Sequence, residues 1–327
     1  SLSEVFNEKL SAEQATKVIE FAQQYFENLP IEEAIGRRFE DVYGAVLSCW
    51  AFLQHHASGQ PKVHVFNPDL EENGWQSTHT ILAVIHDNIP FLVDSVRMAI
   101  SQRELTIHSI HHSVLYTSRN KSGELKKLIP RPEVDEKAAG EALMYIEVDR
   151  LSDSKALEKL NEAIGDVLLE VRVAVNDYQQ MRSNVLECEA ELKQKRKFIS
   201  VEDNSEAQAF IDWLAADHFT FLGYDEYEFK KSGDDVEIIR VKNSELGILR
   251  SHNERPVKIK LSQLPEKTKE HLLKPDLFAF AKSAQRSRVH RPAYPDYISI
   301  KKFNAKGEVI GERRFLGLYT ALVYHQR

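Results

Sequence analysis

The strongest constraint on the fold is an alternation of strand-like and helix-like apolar periods between residues 78 and 192. Apolar residues at every second position are typical of a strand, and apolar residues three and four apart mark one face of a helix. The predicted elements are a strand at 78–85, a helix at 90–103, strands at 105–117 and 142–150, and a helix that starts near 154. Strand, helix, strand, strand, helix is most of a ferredoxin-like unit, so the pattern predicts an α+β domain at residues 61–192.

The second helix of this unit is unusually long, and no fourth strand is evident after it. One apolar stripe runs from Leu157 to Val185, and such a length without an internal cap predicts a helix that links domains. Valines at alternate positions within 168–175 leave open that this stretch is the missing strand, although the stripe on both sides favours helix. The short apolar run at 62–66 is a strand candidate that could occupy a sheet edge instead.

The flanking regions predict a helical arm and a second α+β domain. Helical periods fill residues 3–57, with a break at Pro30, and predict an N-terminal helical arm at residues 1–60. Beyond residue 193 a short helix precedes strand-like runs separated by turn residues, among them FTFLGYDEYEF, VEIIRV, DYISIKKF and RRFLGLYTALVY. A helix with hairpin-linked strands predicts a second α+β domain with an antiparallel sheet at residues 193–327.

The charge distribution supports a boundary near residue 195 but not a nucleic-acid partner. Residues 1–192 carry 18 basic and 31 acidic side chains, whereas residues 193–327 carry 25 and 19. A basic surplus can bind nucleic acid, but it is more often a solvated strand face or a contact with an acidic neighbouring domain. The net charge of -7 argues against nucleic acid as well.

The sequence predicts a cytoplasmic protein that has no membrane partner. No stretch approaches the 18 or more apolar residues of a membrane span, and the N-terminus lacks a basic-then-apolar signal region. The two cysteines, Cys49 and Cys188, lie far apart and fit a reducing compartment. Because the chain opens on Ser1 and stops at Arg327 just after a strand-like run, we expect it to be a piece of a longer protein.

The sequence holds none of the common catalytic or cofactor motifs. No GxGxxG follows a strand, and no Walker glycine loop, GxSxG elbow or HExxH occurs. These absences exclude a recognisable dehydrogenase or kinase core. We therefore predict no catalytic and no cofactor-binding residue in this chain.

A cluster of histidines at 108–112 raises the question of a metal site. In a strand, His108 and His112 share a face but lie about 13 Å apart at ~3.3 Å per residue, and His111 points the other way. These three side chains cannot bind one ion among themselves, and a contribution from His79 or His86 would be needed. Because histidines on a half-buried strand are more often structural, we predict no metal site.

The basic segment RSRVHRPAYP offers a surface for an anion or for another domain. If it is a strand, alternation places Arg286, Arg288 and His290 on one face, with Arg291 beside them. These side chains are candidates for contact with a phosphate or carboxylate. A domain-docking surface is the more common role of such a cluster.

The stretch HDNIPFLVDSV, residues 86–96, is the most distinctive candidate for a ligand site. Proline suits the first position of a helix, so Pro90 predicts a helix start with Ile89 as a poor N-cap. Asp87 and Asn88 then precede the cap and are free to turn the chain or to contact a ligand. A helix N-terminus beside such side chains can bind a small anion or an amino acid, although a simple turn explains the same residues.

HDNIPFLVDSV resembles the strand-to-helix loop of ACT-type regulatory domains, which are amino-acid-sensing ferredoxin-like modules. Four more blocks extend the resemblance along the chain: GWQSTHT at 74–80, WLAADHFTFLGY at 213–224, HRPAYPDYISIK at 290–301 and RRFLGLYT at 313–320. Together the five blocks resemble the N-terminal region of the large bacterial NAD-dependent glutamate dehydrogenases.

The resemblance implies a parent enzyme that converts glutamate to 2-oxoglutarate and ammonia with NAD, in a catalytic domain downstream. It implies an ACT-like first domain, a PAS-like second domain, a homo-oligomeric parent, and partners in the downstream catalytic domain and in other subunits. The leading hypothesis is a non-catalytic regulatory and assembly segment with a possible amino-acid effector. The candidate effector residues are Asp87, Asn88, Phe91, Asp94 and Ser95. The alternatives are a purely structural docking module and an independent amino-acid sensor.

Overall fold

The chain forms two compact α+β units, divided between Leu169 and Glu170. The computed structural model describes residues 2–27, 38–130, 140–194, 201–251 and 256–320. Each unit combines helices with antiparallel strands, so the predicted α+β fold class is confirmed. Among the described residues, no helix is both long enough and apolar enough to cross a membrane.

The first unit begins with helices and continues into the predicted ferredoxin-like elements. Its elements are α1 (Leu2–Lys9), α2 (Ala12–Phe26), α3 (Phe39–Leu53), β1 (Lys62–Phe66), β2 (Thr80–Asp87), α4 (Leu92–Ser101), β3 (Ile107–Leu115), β4 (Thr117–Arg119), β5 (Leu125–Leu128), β6 (Glu141–Val148) and the start of α5 (Ser154–Gln194). β4 and β5 pair as an antiparallel hairpin between β3 and β6. The part of the predicted 31–57 helix before residue 38 lies outside the described residues.

The sheet of the first unit has four strands in the order β1-β2-β6-β3, and all neighbours are antiparallel. β1 pairs with β2 from Lys62 opposite Ile85 to Phe66 opposite Ile81. The fourth strand is therefore present, and it precedes the unit in sequence rather than following its second helix. Residues 168–175, the other candidate for this strand, are helical within α5.

The sheet is buried on both faces, which explains why β2 and β6 are apolar at almost every position. On one face, α1, α2 and α3 form a hydrophobic core with the sheet, in which Phe21 and Val46 pack with Ile81 and Leu143. The opposite face is buried as well, and α4 contacts β3. The N-terminal helices are thus part of the first unit's core.

The second unit combines helices with a larger antiparallel sheet. Its elements are the rest of α5, α6 (Val201–Trp213), β7 (Phe219–Ser232), β8 (Asp235–Arg240), β9 (Leu246–Gly247), β10 (Lys258–Lys260), α7 (Glu266–Leu273), β11 (Phe278–Lys282), β12 (Asp296–Phe303) and β13 (Val309–Tyr319). The strand order is β10-β8-β7-β13-β12-β11, and β9 pairs with β7. Met181 and Ile211 pack with Phe219 and Phe315 in its core. Helix and antiparallel sheet agree with the prediction, and the PAS-like assignment remains a prediction.

The boundary predicted near residue 195 falls in the basic run at 193–197, most of which lies outside the described residues. The two compact units divide earlier, inside α5. The domain ranges 1–60, 61–192 and 193–327 remain predictions.

Candidate functional site

The chain between β2 and α4 makes an unusual turn, and we call residues Asp87–Ser95 the effector loop because the candidate effector residues of the sequence lie in it. The prediction that Pro90 starts the helix, with Ile89 as its cap, is wrong, because α4 begins at Leu92 with Phe91 at the N-cap. Phe91 has φ 70° and ψ 2°, a left-handed conformation that cannot belong to the helix. Positive φ is uncommon for a bulky residue and is often retained at ligand sites.

Asp87 and Asn88 hold the start of the effector loop against its neighbours. The backbone N–H of Gly59 donates to Asp87 Oδ2 at 3.0 Å, and the Ser58 hydroxyl lies 3.5 Å from Asp87 Oδ1. The backbone N–H of Asn88 donates to the Gly140 carbonyl at 2.8 Å. The Asp87 carboxylate therefore supports a turn, while the Asn88 side chain is exposed.

The other three candidate residues differ in their access to solvent. Phe91 is half-buried, Asp94 is exposed on the first turn of α4, and Ser95 is fully buried. The backbone N–H of Ser95 donates to the Phe91 carbonyl at 3.0 Å, which closes the first turn of the helix. A ligand in solvent can reach Asn88 and Asp94, whereas the Ser95 side chain belongs to the interior.

A buried polar cluster that sequence reasoning missed lies at the same end of the sheet, and we call His56, Thr117, Arg119 and Glu141 the Glu141 network. Glu141 stands opposite Asp87 in the β2–β6 register. Its carboxylate accepts hydrogen bonds from Arg119 Nε at 2.9 Å, from Arg119 Nη2 at 2.8 Å and from the Thr117 hydroxyl at 2.9 Å. His56 Nδ1 lies 2.6 Å from the same carboxylate.

The Glu141 network connects three parts of the first unit. Arg119 donates to the carbonyls of Leu53, at the end of α3, and Gly123, in the β4–β5 hairpin. Burial alone raises the pKa of Glu141, but the hydrogen bonds from His56 and Arg119 outweigh it and lower the pKa to about 2. The network thus carries a carboxylate that stays ionised in a buried position. No local sequence pattern predicts this network, because its histidine, arginine and glutamate are spread over residues 56–141.

In β3, the His108 and His111 side chains are held by structural contacts. His111 and His112 face opposite sides of the sheet, as their register with β6 requires. His111 Nε2 lies 2.5 Å from the carbonyl oxygen of Tyr25, which attaches α2 to the sheet.

His108 and His79 lie together at the other end of β3. Their ring centroids are 4.2 Å apart, His108 Nε2 lies 2.7 Å from Asp149 Oδ1, and His79 Nδ1 lies 3.7 Å from Glu147 Oε2. Within the described ranges, no group of three or more His, Cys, Asp or Glu side chains is arranged to hold a metal ion.

The basic segment at 286–291 is a loop between β11 and β12, so the prediction of a shared strand face is wrong. Ser287 stabilises the loop conformation, because its hydroxyl donates to the Val289 carbonyl and accepts from the Val289 N–H. His290 has φ 71°, which breaks any strand alternation. The three arginines consequently have separate contacts: Arg286 lies over the Tyr294 ring, Arg288 pairs with Glu170 at 2.9 Å, and Arg291 donates to the Tyr319 carbonyl.

Comparisons with known proteins agree on one family. Residues 21–164 match the family model of the glutamate dehydrogenase ACT1 domain. Over 326 residues, the chain is 43% identical to the NAD-specific glutamate dehydrogenase of Halomonas elongata, a match that covers 99% of this chain and 20% of that protein. The Pseudomonas aeruginosa protein of the same name is 40% identical over 94% of this chain and 19% of its own length.

A more distant relative has the same name. The NAD-specific glutamate dehydrogenase of Mycobacterium tuberculosis is 24% identical over 82% of this chain and 15% of its own length. The chain therefore spans about a fifth of the length of the two more similar relatives.

Proposed function

Because the chain belongs to the NAD-specific glutamate dehydrogenases over the fifth of their length that it spans, we propose that it is a regulatory and assembly segment of such an enzyme. The parent enzyme oxidises glutamate with NAD, in a catalytic domain outside this chain. The segment itself responds to a small amino acid and carries no catalytic residue. The observation that carries this proposal is the match of residues 21–164 to an ACT1 domain.

The effector loop has the chemical groups that a free amino acid requires. The exposed Asp94 carboxylate suits the ammonium group of a zwitterion. The N-terminal amides of α4 and the exposed Asn88 amide suit its carboxylate, because a helix N-terminus favours negative charge. The half-buried Phe91 ring supplies apolar contact for the side chain. We expect the ligand to lie over the start of α4, with Asp87 and Ser95 supporting the loop from behind.

A route for regulation starts from the contacts of the effector loop. In this loop the backbone N–H of Asn88 donates to the Gly140 carbonyl, and Asp87 lies opposite Glu141 of β6. From Glu141 the network reaches the carbonyls at the end of α3 and in the β4–β5 hairpin. An effector regulates only if it binds two states unequally, so loop closure has to favour one arrangement of these contacts.

Two observations favour the rival function, a purely structural docking module without a ligand. The Asp87 carboxylate is already bonded to the turn at Gly59, as a purely structural residue would be. The loop at 286–291 supports a docking role, because the Arg286 guanidinium lies 5.3 Å from the centroid of the Tyr294 ring, which is 47% exposed. Assembly through this loop is compatible with amino-acid sensing in the first unit.

We expect one or a few of the twenty amino acids to stabilise the chain in a thermal-shift screen. A ligand at 100 times its dissociation constant raises the free energy of unfolding by about 2.7 kcal/mol. Asn88→Ala and Asp94→Ala should abolish the shift while lowering the stability of the free chain by no more than about 1 kcal/mol, because both side chains are exposed. Asp166→Ala is the matched control, since Asp166 is an exposed acid on α5. If no amino acid raises the melting temperature, or if all variants show the same shift as the parent chain, the result would support the docking function.

The purified 327-residue chain should not oxidise glutamate with NAD. The expectation follows from the missing nucleotide-binding and catalytic motifs. NADH formation is followed by its absorbance, with a complete NAD-specific glutamate dehydrogenase as the positive control. Turnover that purifies with the chain would overturn the regulatory assignment.

A further inference from the structure

A cavity of about 240 Å³ lies in the first unit between α3 and the sheet, and we call it the Ala83 cavity. Its floor is formed by Cys49, Ala83 and Tyr145, all of which are at most 5% exposed. Exposed residues of α3 and β1, Ala51 and His64, lie at its mouth. The cavity therefore opens to solvent.

The cavity exists because a small residue sits in a row of large ones. His64, Ala83, Tyr145 and His111 stand side by side across the four strands in the order of the sheet. The methyl group of Ala83 leaves space between the His64 and Tyr145 rings, and α3 covers part of this space. A protein interior is normally close-packed, so an open space of this size between packed layers indicates room for a ligand.

The walls of the Ala83 cavity are aromatic and able to form hydrogen bonds. Phe52 and Phe66 line it, and the His64 ring stacks on Phe66 with centroids 4.5 Å apart and planes at 24°. Ser48 also lines it, and the Ser48 hydroxyl accepts from the Trp75 indole N–H at 2.9 Å, so the hydroxyl retains a proton that it can donate.

The described residues that line the cavity include no Asp, Glu, Lys or Arg. Burial and the nearby Lys62 lower the pKa of His64, so that its ring is neutral at pH 7. Burial raises the pKa of the Cys49 thiol to about 12, so that it is neutral too. A zwitterionic amino acid would lose hydration here without gaining a charged partner, which is unfavourable.

We propose that the Ala83 cavity binds a small neutral nitrogen heterocycle of nucleobase or nicotinamide size. A cavity of about 150 Å³ holds benzene, so about 240 Å³ holds one or two fused rings with polar substituents. Such rings stack on Phe and His side chains, and their ring nitrogens and amino or amide groups pair with hydroxyl and imidazole groups. The site is separate from the effector loop, because Ala83 precedes Asp87 by four residues of strand, about 13 Å.

The test is isothermal titration of the 327-residue chain with adenine and with nicotinamide, alongside leucine and benzyl alcohol. At least one heterocycle should bind, and leucine and benzyl alcohol should bind at least tenfold more weakly. Each heterocycle is also tested by ligand-observed NMR. If neither one releases or absorbs heat on titration or shows an NMR signal of binding, the proposal is wrong. Leucine or benzyl alcohol binding as tightly as the heterocycle would overturn its assigned chemistry.

Two variants locate the binding in the cavity. Ala83→Leu fills the space and Ala51→Phe covers the mouth; each should weaken heterocycle binding at least tenfold. Ala51 is exposed on α3, so Ala51→Phe stays informative if Ala83→Leu fails to fold. Ala12→Phe, at an exposed helical position of α2, is the matched control and should bind as the parent chain does. Unchanged binding in Ala51→Phe, or an equal loss in Ala12→Phe, would show that the ligand binds elsewhere.

Discussion

Replacing Glu141 with glutamine should destabilise the first unit by about 3–5 kcal/mol, because removal of one partner leaves the other buried charge uncompensated. The Glu141 and Arg119 side chains are each only 10% exposed, and His56 is 1% exposed, so water does not replace the lost interaction. The same substitution weakens the attachment of the β4–β5 hairpin to β6, since Thr117 and Arg119 both donate to this carboxylate.

Urea unfolding followed by tryptophan fluorescence measures this change. Trp50 and Trp75 report the first unit, because both pack in its core, and Trp213→Phe removes the signal from the second unit. Glu124→Gln is the matched control: Glu124 lies in the same hairpin, but its side chain is 59% exposed and pairs with its neighbours Lys126 and Asn120. We expect the control to unfold as the parent does. Equal midpoints for the parent and Glu141→Gln would contradict a structural role for the network.

The free energy of unfolding should depend on pH through the ionisation of Glu141. Its pKa is lowered from 4.5 to about 2 in the folded chain, so the unfolded chain binds the proton more strongly. The contribution is fully present above pH 4.5 and is lost as the pH falls toward 2. This difference corresponds to about 3 kcal/mol. The stability difference between the parent and Glu141→Gln should therefore shrink between these pH values, and a constant difference would contradict the assignment.

Replacing Arg314 with methionine should destabilise the second unit by about 3–5 kcal/mol, since Asp225 would remain buried without its cation. Arg314 donates to both oxygens of Asp225, at 2.8 and 2.6 Å, and Asp225 is 1% exposed. Burial alone lowers the pKa of Arg314, but the hydrogen bonds to Asp225 outweigh it and raise the pKa above its ordinary value. The guanidinium also packs 4.3 Å from the centroid of the Tyr227 ring.

The effect is measured by the fluorescence of Trp213, whose ring stacks on His218 in the second unit, in a chain with phenylalanine at positions 50 and 75. Lys282→Met is the matched control, because it also removes a cation from an ion pair, with Asp296, but the Lys282 side chain is 65% exposed. The control should unfold close to the parent chain. A small effect in Arg314→Met would mean that Asp225 finds another partner or takes up a proton.

The sequence predicted elements with long periodic patterns and missed those that depend on partners far away. The helix from Ser154 to Gln194 and strands β2, β3 and β6 follow directly from apolar spacing. The fourth strand was recognisable only as a candidate at 62–66, because a short edge strand is specified by its neighbour β2 more than by its own pattern. The five-residue run alone could not show whether residues 62–66 form the fourth strand.

Backbone geometry explains the two local errors. Proline at position 90 suits a helix start, but the left-handed Phe91 delays the helix to Leu92, and no pattern rule predicts positive φ at a phenylalanine. Alternation at 286–291 suggested a strand, but Ser287 bonds its own loop and His290 is left-handed. In both places the side chains required by the sequence rule are present, but a left-handed residue prevents the predicted element.

The candidate residues of the effector loop were predicted as a group, and in the structure they differ in their exposure to solvent. Asn88 and Asp94 are exposed, whereas Ser95 is buried and Asp87 is bonded to Gly59. The Glu141 network was not predicted, because its members are distant in sequence and meet only when β6 pairs with β2 and β3. The ligand chemistry of the loop remains a prediction from residue types, and the pairing of β6 with β2 places Glu141 opposite Asp87.

Hydrogen–deuterium exchange tests the proposed sensing role most directly, with and without the amino acid that gives the largest thermal shift. The proposal predicts slower exchange at the amides of residues 86–96, and loss of this protection in Asn88→Ala and Asp94→Ala but not in Asp166→Ala. Protection confined to other residues, or no change with any of the twenty amino acids, would contradict the claim that the effector loop senses an amino acid.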